Sequence, residues 1–379
     1  MSILPKIRNI VALLLVVGGF WYFYGETYNQ FGVEGVFAEI RSDINGIKEN
    51  PEVIAAVNYA SNEIQHWLGE LTQSLQENEP QNQNVAEKPQ LDAPSEQSFS
   101  IHNVELGDDR SEVEQQVGPA KRSTLNEYGI EWVAYHENYQ NFFMAAYDEQ
   151  NKVVGLYTNQ DLLASTNGIT FKNSRESVLK MTNDPLESIR KGFVSYQIQN
   201  NQEYDTFLID NNYVTIFYDK HEDNSVTAIQ IISGELEQKK EKFFTDASAE
   251  LKEGFEYQLF DLTNAARVNH GLSVLSWEEA VRETARGHST DMADNNYFSH
   301  TNLEGQSPFD RMTADGISYR MAGENLAMGQ LSSIFAHEGL MNSLGHRENI
   351  LQSDFESLAV GVAFNTESRP YYTENFLTK

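Results

Sequence analysis

Apolar positions are spaced in several ways along this chain, and each spacing predicts a different kind of element. Ile10 to Tyr24 reads IVALLLVVGGFWYFY, an apolar run behind Lys6 and Arg8. At about 1.5 Å per residue it covers roughly 22 Å as a helix, short beside a ~30 Å hydrocarbon core. Its length alone fits a signal-peptide core. No small-x-small cleavage site follows, and Phe20, Trp21, Tyr22, Phe23 and Tyr24 suit a membrane interface. Residues 1–25 are therefore expected to be an uncleaved anchor, with a cleaved signal as the alternative and a core helix behind both. In the two leading cases Lys6 and Arg8 stay inside and Glu26 onward is exported, which makes the chain secreted if the segment is cut.

Residues 26–98 change character. Val53, Ile54, Val57, Ile64, Trp67 and Leu68 recur at helical spacing in an acidic juxtamembrane segment. Residues 77–98, rich in Pro, Gln, Asn and Glu, predict a disordered linker. From 99 to 235 the pattern doubles. VELGDDRSEVEQQVGP (104–119) matches ITFKNSRESVLKMTNDP (169–185), with Arg110 opposite Arg175 and Val113 opposite Val178. Each copy runs into a strand, a polar turn and a second strand, with Tyr147-Asp148 and Tyr218-Asp219 where the turns begin. A duplicated unit of one helix plus a small antiparallel sheet is the expectation. His102, His136 and His221 stand isolated there, as surface or structural histidines. Residues 235–250 are polar and read as a link to the last domain.

From 250 to 379 helical spacing dominates. Phe255, Leu259, Leu262 and Ala266 fall on one face, and Gly271 is a plausible stop. Ser276 and Glu279 form a capping-box pattern ahead of Trp277, Val281, Thr284, His288 and Met292. Ser307 and Pro308 start a third helix that closes on Gly316. SSIFAHEGLMNSLGH predicts one further short helix, and SLAVGVAF and YYTENFL predict strands. Helices and strands mixed in this way predict a layered sandwich.

Composition narrows the function. Lys and Arg number 27 against 56 Asp and Glu, a net charge of -29. With no Lys/Arg cluster to offset it, nucleic acid is excluded as a partner. Cysteine is absent, which removes disulfides, CxxC redox sites and cysteine-ligated metals.

The joint occurrence of NAAR, HGLSVLSWEEAV, YFSH, SPFDRM, AGENLAMG and GHRENIL resembles the bacterial CAP domain, the SCP-like superfamily of cysteine-rich secretory, antigen 5 and pathogenesis-related 1 proteins. The anchor, linker and doubled middle domain resemble a CAP-associated module of membrane-anchored proteins. The resemblance implies an α+β chain: a C-terminal α-β-α sandwich behind a duplicated helix-plus-antiparallel-sheet domain and a membrane helix. It also implies a cleft holding two histidines and two glutamates. By motif these are His300 of YFSH, Glu324 of GEN and His346 of GHR. The second glutamate's position is taken by Ser343; Glu338 and Glu348 lie nearby without matching, and His337 is also close, free by spacing to point outward.

On this resemblance Glu324 faces His300, favouring its imidazolium or orienting a ring nitrogen. His300, His346 and Glu324 are the candidate ligands of a divalent metal such as Zn²⁺; a hydrogen-bonded polar network bracing the cleft is the alternative. Ser343, His346 and Glu324 contain the residue types of a hydrolase triad, but without a G-x-S-x-G elbow. Asn325 is expected to hold the turn after Glu324, His288 to be structural, Asn264 and Arg267 to belong to a helix signature, and Arg347 and Asn349 to cap or bridge loops. Three functions follow. The first is an extracellular binding module for a metal, small ligand, envelope polymer or protein partner. The second is a metal-dependent hydrolase of peptide or envelope polymer, with Glu324 as base. The third is a structural role in envelope or spore-coat assembly.

Overall fold

The computed structural model describes residues 86–199 and 201–379. The apolar run, the juxtamembrane segment and the first part of the linker lie outside these residues. Among the described residues no helix is long and apolar enough to cross a membrane. Residues 86–98 differ from the disordered linker expected of them. Glu105 accepts the backbone N–H groups of Ser95, Glu96 and Gln97 (2.7–2.9 Å), and Lys88 pairs with Asp161. A segment with few apolar residues is held here by side-chain acceptors, which composition does not reveal.

The middle domain comprises β1 (Phe99–Ile101), α1 (Arg110–Val117), β2 (Arg122–Leu125), β3 (Glu131–Glu137), β4 (Gln140–Tyr147), β5 (Val153–Thr158) and β6 (Leu163–Ser165). Then come α2 (Arg175–Met181), β7 (Ser188–Lys191), β8 (Val194–Gln197), β9 (Tyr204–Ile209), β10 (Asn212–Asp219), β11 (Ser225–Ser233) and α3 (Gly234–Lys239). Both halves join one seven-stranded antiparallel sheet, ordered β2-β3-β4-β5-β11-β10-β9. The Asp residues foreseen at the turns build them: Asp148 accepts from the backbone of Gln150 and Lys152, and Asp219 from that of His221.

Alternation of side chains gives this sheet two apolar faces. On one, Val133, Tyr135, Phe143, Ile216 and Ile229 pack with Val113 of α1 and Val178 of α2. The other carries Trp132, Phe142, Met144, Phe217, Ala228 and Ile232.

The C-terminal domain contains α4 (Ala249–Asn269), β12 (Ser276–Trp277), α5 (Glu279–Asn295), α6 (Pro308–Ala314), β13 (Met321–Met328), α7 (Ser333–Asn342), α8 (Leu344–Ile350), β14 (Ser357–Phe364) and β15 (Pro370–Thr378). Its sheet runs β12-β14-β15-β13. Leu358, Val360, Val362, Tyr372 and Phe376 pack on α4 and α7. Ala359, Ala363, Tyr371 and Leu377 pack on α5 from the other side. This is the α-β-α sandwich expected. Gly361 lets α5 approach, because a Cβ there would lie 2.1 Å from Arg286 N.

The second face of the middle sheet docks on this sandwich, sharing one core with Leu262 and Ala265 of α4 and Ile334 of α7. Polar contacts seal it. Arg122 pairs with Asp261 at 2.8 Å, Tyr139 donates to the same carboxylate, and Tyr157 donates to Glu338 at 2.6 Å. Gly254 sits where α4 meets β2; a Cβ there would be 2.1 Å from Leu125 O.

Three local expectations change. Ser276 and Glu279 form no capping box: Ser276-Trp277 is a strand parallel to β14, and Glu278 precedes the helix without a side-chain cap. Pairing with β14 claims the backbone that a cap would need. At α6 the expected cap does form, with Ser307 and Asp310 bonded reciprocally. The polar stretch 235–250 is not a plain link, since α3 and the start of α4 occupy both ends of it. The single helix expected over SSIFAHEGLMNSLGH is two, broken where Ser343 takes an extended conformation.

Candidate functional site

The site grows from the outer strand β13. Its register sets Glu324 opposite Asn375 and Asn325 opposite Glu374 on β15. Neighbouring residues of a strand point to opposite faces, so two Glu–Asn pairs form back to back. Asn375 Nδ2 donates to Glu324 Oε2 (3.1 Å) on the α5 side. Asn325 Nδ2 donates to Glu374 Oε2 (3.0 Å) on the α4 side. Asn325 therefore stands inside a strand rather than in a turn. Cross-strand pairing satisfies its side chain better than a local backbone bond, a long-range choice that spacing could not show.

Glu324 is answered three times. His300 Nδ1 lies 2.9 Å from Oε1, and Arg311 of α6 donates to Oε2 at 2.6 Å beside Asn375. The Glu324 side chain is only 2% exposed, whereas that of His300 is 52% exposed. Arg311 also donates to the carbonyl of His300 at 2.8 Å and so braces the loop that carries it. His288, buried on α5, contacts Ser299 O through Nε2 (2.9 Å) and holds the same loop from behind. Burial pushes the His288 pKa down, and Arg311 adds to the effect. The structural role expected of His288 is thus to position His300. Arg311 and Asn375 were not singled out in the sequence; the one available signal was a cation in the capped SPFDRM helix.

His346 stands at the start of α8. Its Nδ1 lies 2.8 Å from Ser343 Oγ, and its carbonyl accepts from Asn325 Nδ2 at 3.1 Å. Burial lowers the His346 pKa, and the charge on His300 lowers it further. Asn349, one turn on, donates to Asn325 Oδ1 (2.9 Å) and Glu324 O (3.3 Å). Gly323 leaves the room for it, since a Cβ there would meet Asn349 Oδ1 at 3.1 Å.

His300, Glu324 and His346 thus belong to one bonded network with Ser343 and Asn325. Among the described residues, however, no group of three His, Asp or Glu side chains is set to hold a metal ion. Arg311, Asn375 and His300 occupy the oxygens of Glu324. Nδ1 of both histidines is bonded, and no contact to Nε2 of either ring occurs among the described residues.

The nearby acids have other tasks. Glu374 is fully buried, accepts from Thr263 and Asn325, and is pushed up to about 7 by desolvation, with those two bonds opposing. Glu338 bonds Tyr157 of the middle sheet. His337 is buried rather than outward, with its pKa driven down to about 3 by desolvation. Arg347 bridges as expected, reaching Asp219 of the middle domain at 2.8 Å. Arg267 is a staple: it donates to Ser273 O, Ile350 O and Gln352 O, and burial lowers its pKa to about 10. Asn264 exchanges bonds with the backbone of Leu275.

Comparison with known proteins agrees with this architecture. The signature of the cysteine-rich secretory protein family matches residues 260–376, and that of a CAP-associated N-terminal domain matches residues 106–243. The membrane protein YlbC of Bacillus subtilis (strain 168) is 31% identical over 296 residues, 72% of this chain and 82% of YlbC. YkwD of the same organism is 42% identical over 125 residues, 33% of this chain and 48% of YkwD. An extracellular SCP-domain protein of Bacillus anthracis superposes over 78% of this chain and all of its own, with TM-score 0.64 and 27% identity. A cysteine-rich secretory protein of Staphylococcus aureus shares the fold over 76% of this chain and 98% of its own, with TM-score 0.59 and 15% identity.

Proposed function

This chain belongs to the cysteine-rich secretory (CAP) protein family with a CAP-associated N-terminal domain, and on that premise we propose that it is a membrane-anchored extracellular binding protein whose cleft takes a ligand at His300 and His346 without turning it over. One observation carries the reading: Nδ1 of each imidazole is committed, to Glu324 and to Ser343, so that ligand chemistry falls to the two Nε2 atoms. A carboxylate behind an imidazole makes the opposite nitrogen a better electron-pair donor. Imidazole nitrogens are the donor type that a divalent cation such as Zn²⁺ takes, and Glu324 would be the orienting group behind His300. Such an ion would supply an electrophilic centre for a ligand's oxygen or nitrogen.

The hydrolase alternative asks Glu324 to act as a base. Arg311 holds one of its oxygens at 2.6 Å and His300 the other at 2.9 Å, so neither is free for that task. The Ser343–His346 pair has no carboxylate on the imidazole among the described residues, so the arrangement favours binding over acyl transfer.

Calorimetric titration of Zn²⁺ into the full chain in detergent, beside His300→Ala and His346→Ala, tests the proposal. Saturable uptake by the parent and its loss in both variants is the expected result. Equal uptake by all three chains, or none by the parent, removes the metal from the reading. Turnover of peptide or envelope-polymer substrates that depends on both histidines would replace binding with catalysis.

A further inference from the structure

A second concavity, separate from the histidine cleft, lies between the middle sheet and the C-terminal domain. It has a volume of about 670 Å³, within the roughly 300–1,000 Å³ usual for small-molecule sites. Its floor is the sheet face that elsewhere is apolar. Register places Thr206 of β9, Thr215 of β10 and Gln230 of β11 in one row across three strands. On the same face Phe217, Ala228 and Ile232 pack into the shared core. Three polar residues therefore interrupt an apolar surface beneath the C-terminal domain. The two threonines bond each other at 3.0 Å. Gln230 is 3% exposed and its Nε2 has no partner. Glu127, 2% exposed with Oε2 unpartnered, and Gln330, with Oε1 unpartnered, also line the cavity.

Aromatic rings stand among the wall residues. Tyr196 stacks with Phe243 at 6.0 Å, and Tyr204 meets Phe335 of α7 edge-on at 5.2 Å. The hairpin β7–β8 forms the outer side and is tied to the 240s by Lys191 Nζ to Lys240 O and by Tyr196 Oη to Glu241 O. The cations here are engaged. Lys191 pairs with Glu237 at 2.6 Å, Lys242 with Asp246 at 2.6 Å, and Lys240 lies over the Tyr128 ring at 5.4 Å. Burial raises the Glu127 pKa to about 7 while the Lys240 ammonium opposes the rise, so that acid and cation offset each other. The site offers no uncompensated charge to an ionic ligand.

We propose that this cavity binds a short uncharged saccharide. A pyranose presents a C–H face that an aromatic ring face attracts. Its hydroxyls both donate and accept, as the unpartnered donor of Gln230 and the unpartnered acceptors of Glu127 and Gln330 require. A peptide added as a strand fits less well, because Leu186 N already donates to Thr206 O (2.7 Å) on the outer edge of β9.

The test is calorimetric titration of the full chain in detergent with cellobiose, chitobiose and maltotriose. Gln230→Leu removes the donor while keeping an apolar neighbour for Ala228 and Ile232, and Tyr196→Ala removes one wall on a half-exposed hairpin. At least one saccharide is expected to bind saturably, with each variant weaker by about tenfold or more and His300→Ala unchanged. No saturable binding by any of the three sugars overturns the proposal and leaves a water-filled void. Sugar binding indifferent to both substitutions also overturns it, as does capture of uncharged decapeptides in place of sugars. The His300→Ala arm separates this site from the histidine cleft, so either assignment can fail alone.

Discussion

Glu338 offers a direct measure of what the contact between the two domains withstands. Its carboxyl lies fully buried on α7 and accepts from Tyr157 of the middle sheet at 2.6 Å. Desolvation raises its pKa from 4.5 to about 7; Asp219 adds to the rise, while Tyr157 and Arg347 oppose it. Because the folded pKa is the higher one, the folded state keeps this proton after the unfolded chain has released it. Below pH 4.5 both states hold the proton and the stabilising contribution is complete. It declines as pH rises through about 7, where the folded state must also ionise. At about 1.4 kcal/mol per pKa unit, the interval corresponds to roughly 3 kcal/mol of stability present at pH 4.5 and lost by pH 8. Glu338→Gln keeps an acceptor for Tyr157 and cannot ionise. Urea unfolding of parent and variant from pH 4.5 to 8, followed by the fluorescence of buried Trp132, measures the difference. The two should be nearly equal at pH 4.5, and the variant should be the more stable by about 2–3 kcal/mol at pH 8. Glu127 and Glu374 carry the same upward direction, so the variant should retain a shallower pH dependence. Parallel loss of stability in the two proteins, or a variant weaker at pH 8, would refute the buried-acid account.

Three other outcomes follow from the geometry. Gly254→Ala forces a methyl group against Leu125 O and should destabilise by about 2 kcal/mol, read as a lower thermal midpoint and faster cleavage by protease; an unchanged midpoint would mean that α4 does not pack on β2. Arg311→Met leaves the buried Glu324 carboxylate without its guanidinium and should cost about 3 kcal/mol in urea unfolding, whereas a loss below about 1 kcal/mol would mark the pair as dispensable. His300→Ala removes the neighbouring charge that holds the His346 pKa down, so NMR titration should show the His346 pKa rising; no movement would place the two rings out of electrostatic reach.

The readings that held depended on local spacing. The strand-like composition of SLAVGVAF and YYTENFL is visible without partners, and so is the Ser307-Pro308 start of α6. The apparent capping box at Ser276 misled because a two-residue strand beside β14 takes that backbone, and pairing between segments some eighty residues apart leaves no local mark. Residues 86–98 misled for a related reason: Glu105 anchors them by hydrogen bonds that hydropathy does not register.

Sequence by itself determined the strand and helix character of many segments and the three ionisable residues that the family motifs mark, because each is written in neighbouring residues. Tertiary structure alone decided what those residues do. It set Arg311, Asn375 and His300 on the Glu324 carboxylate. It also laid a polar row of the middle sheet under the C-terminal domain, opening a second cavity. The physical reason is common to both: the protonation, orientation and accessibility of a polar side chain depend on which distant atoms desolvate and bond it, and only the folded chain brings those atoms together.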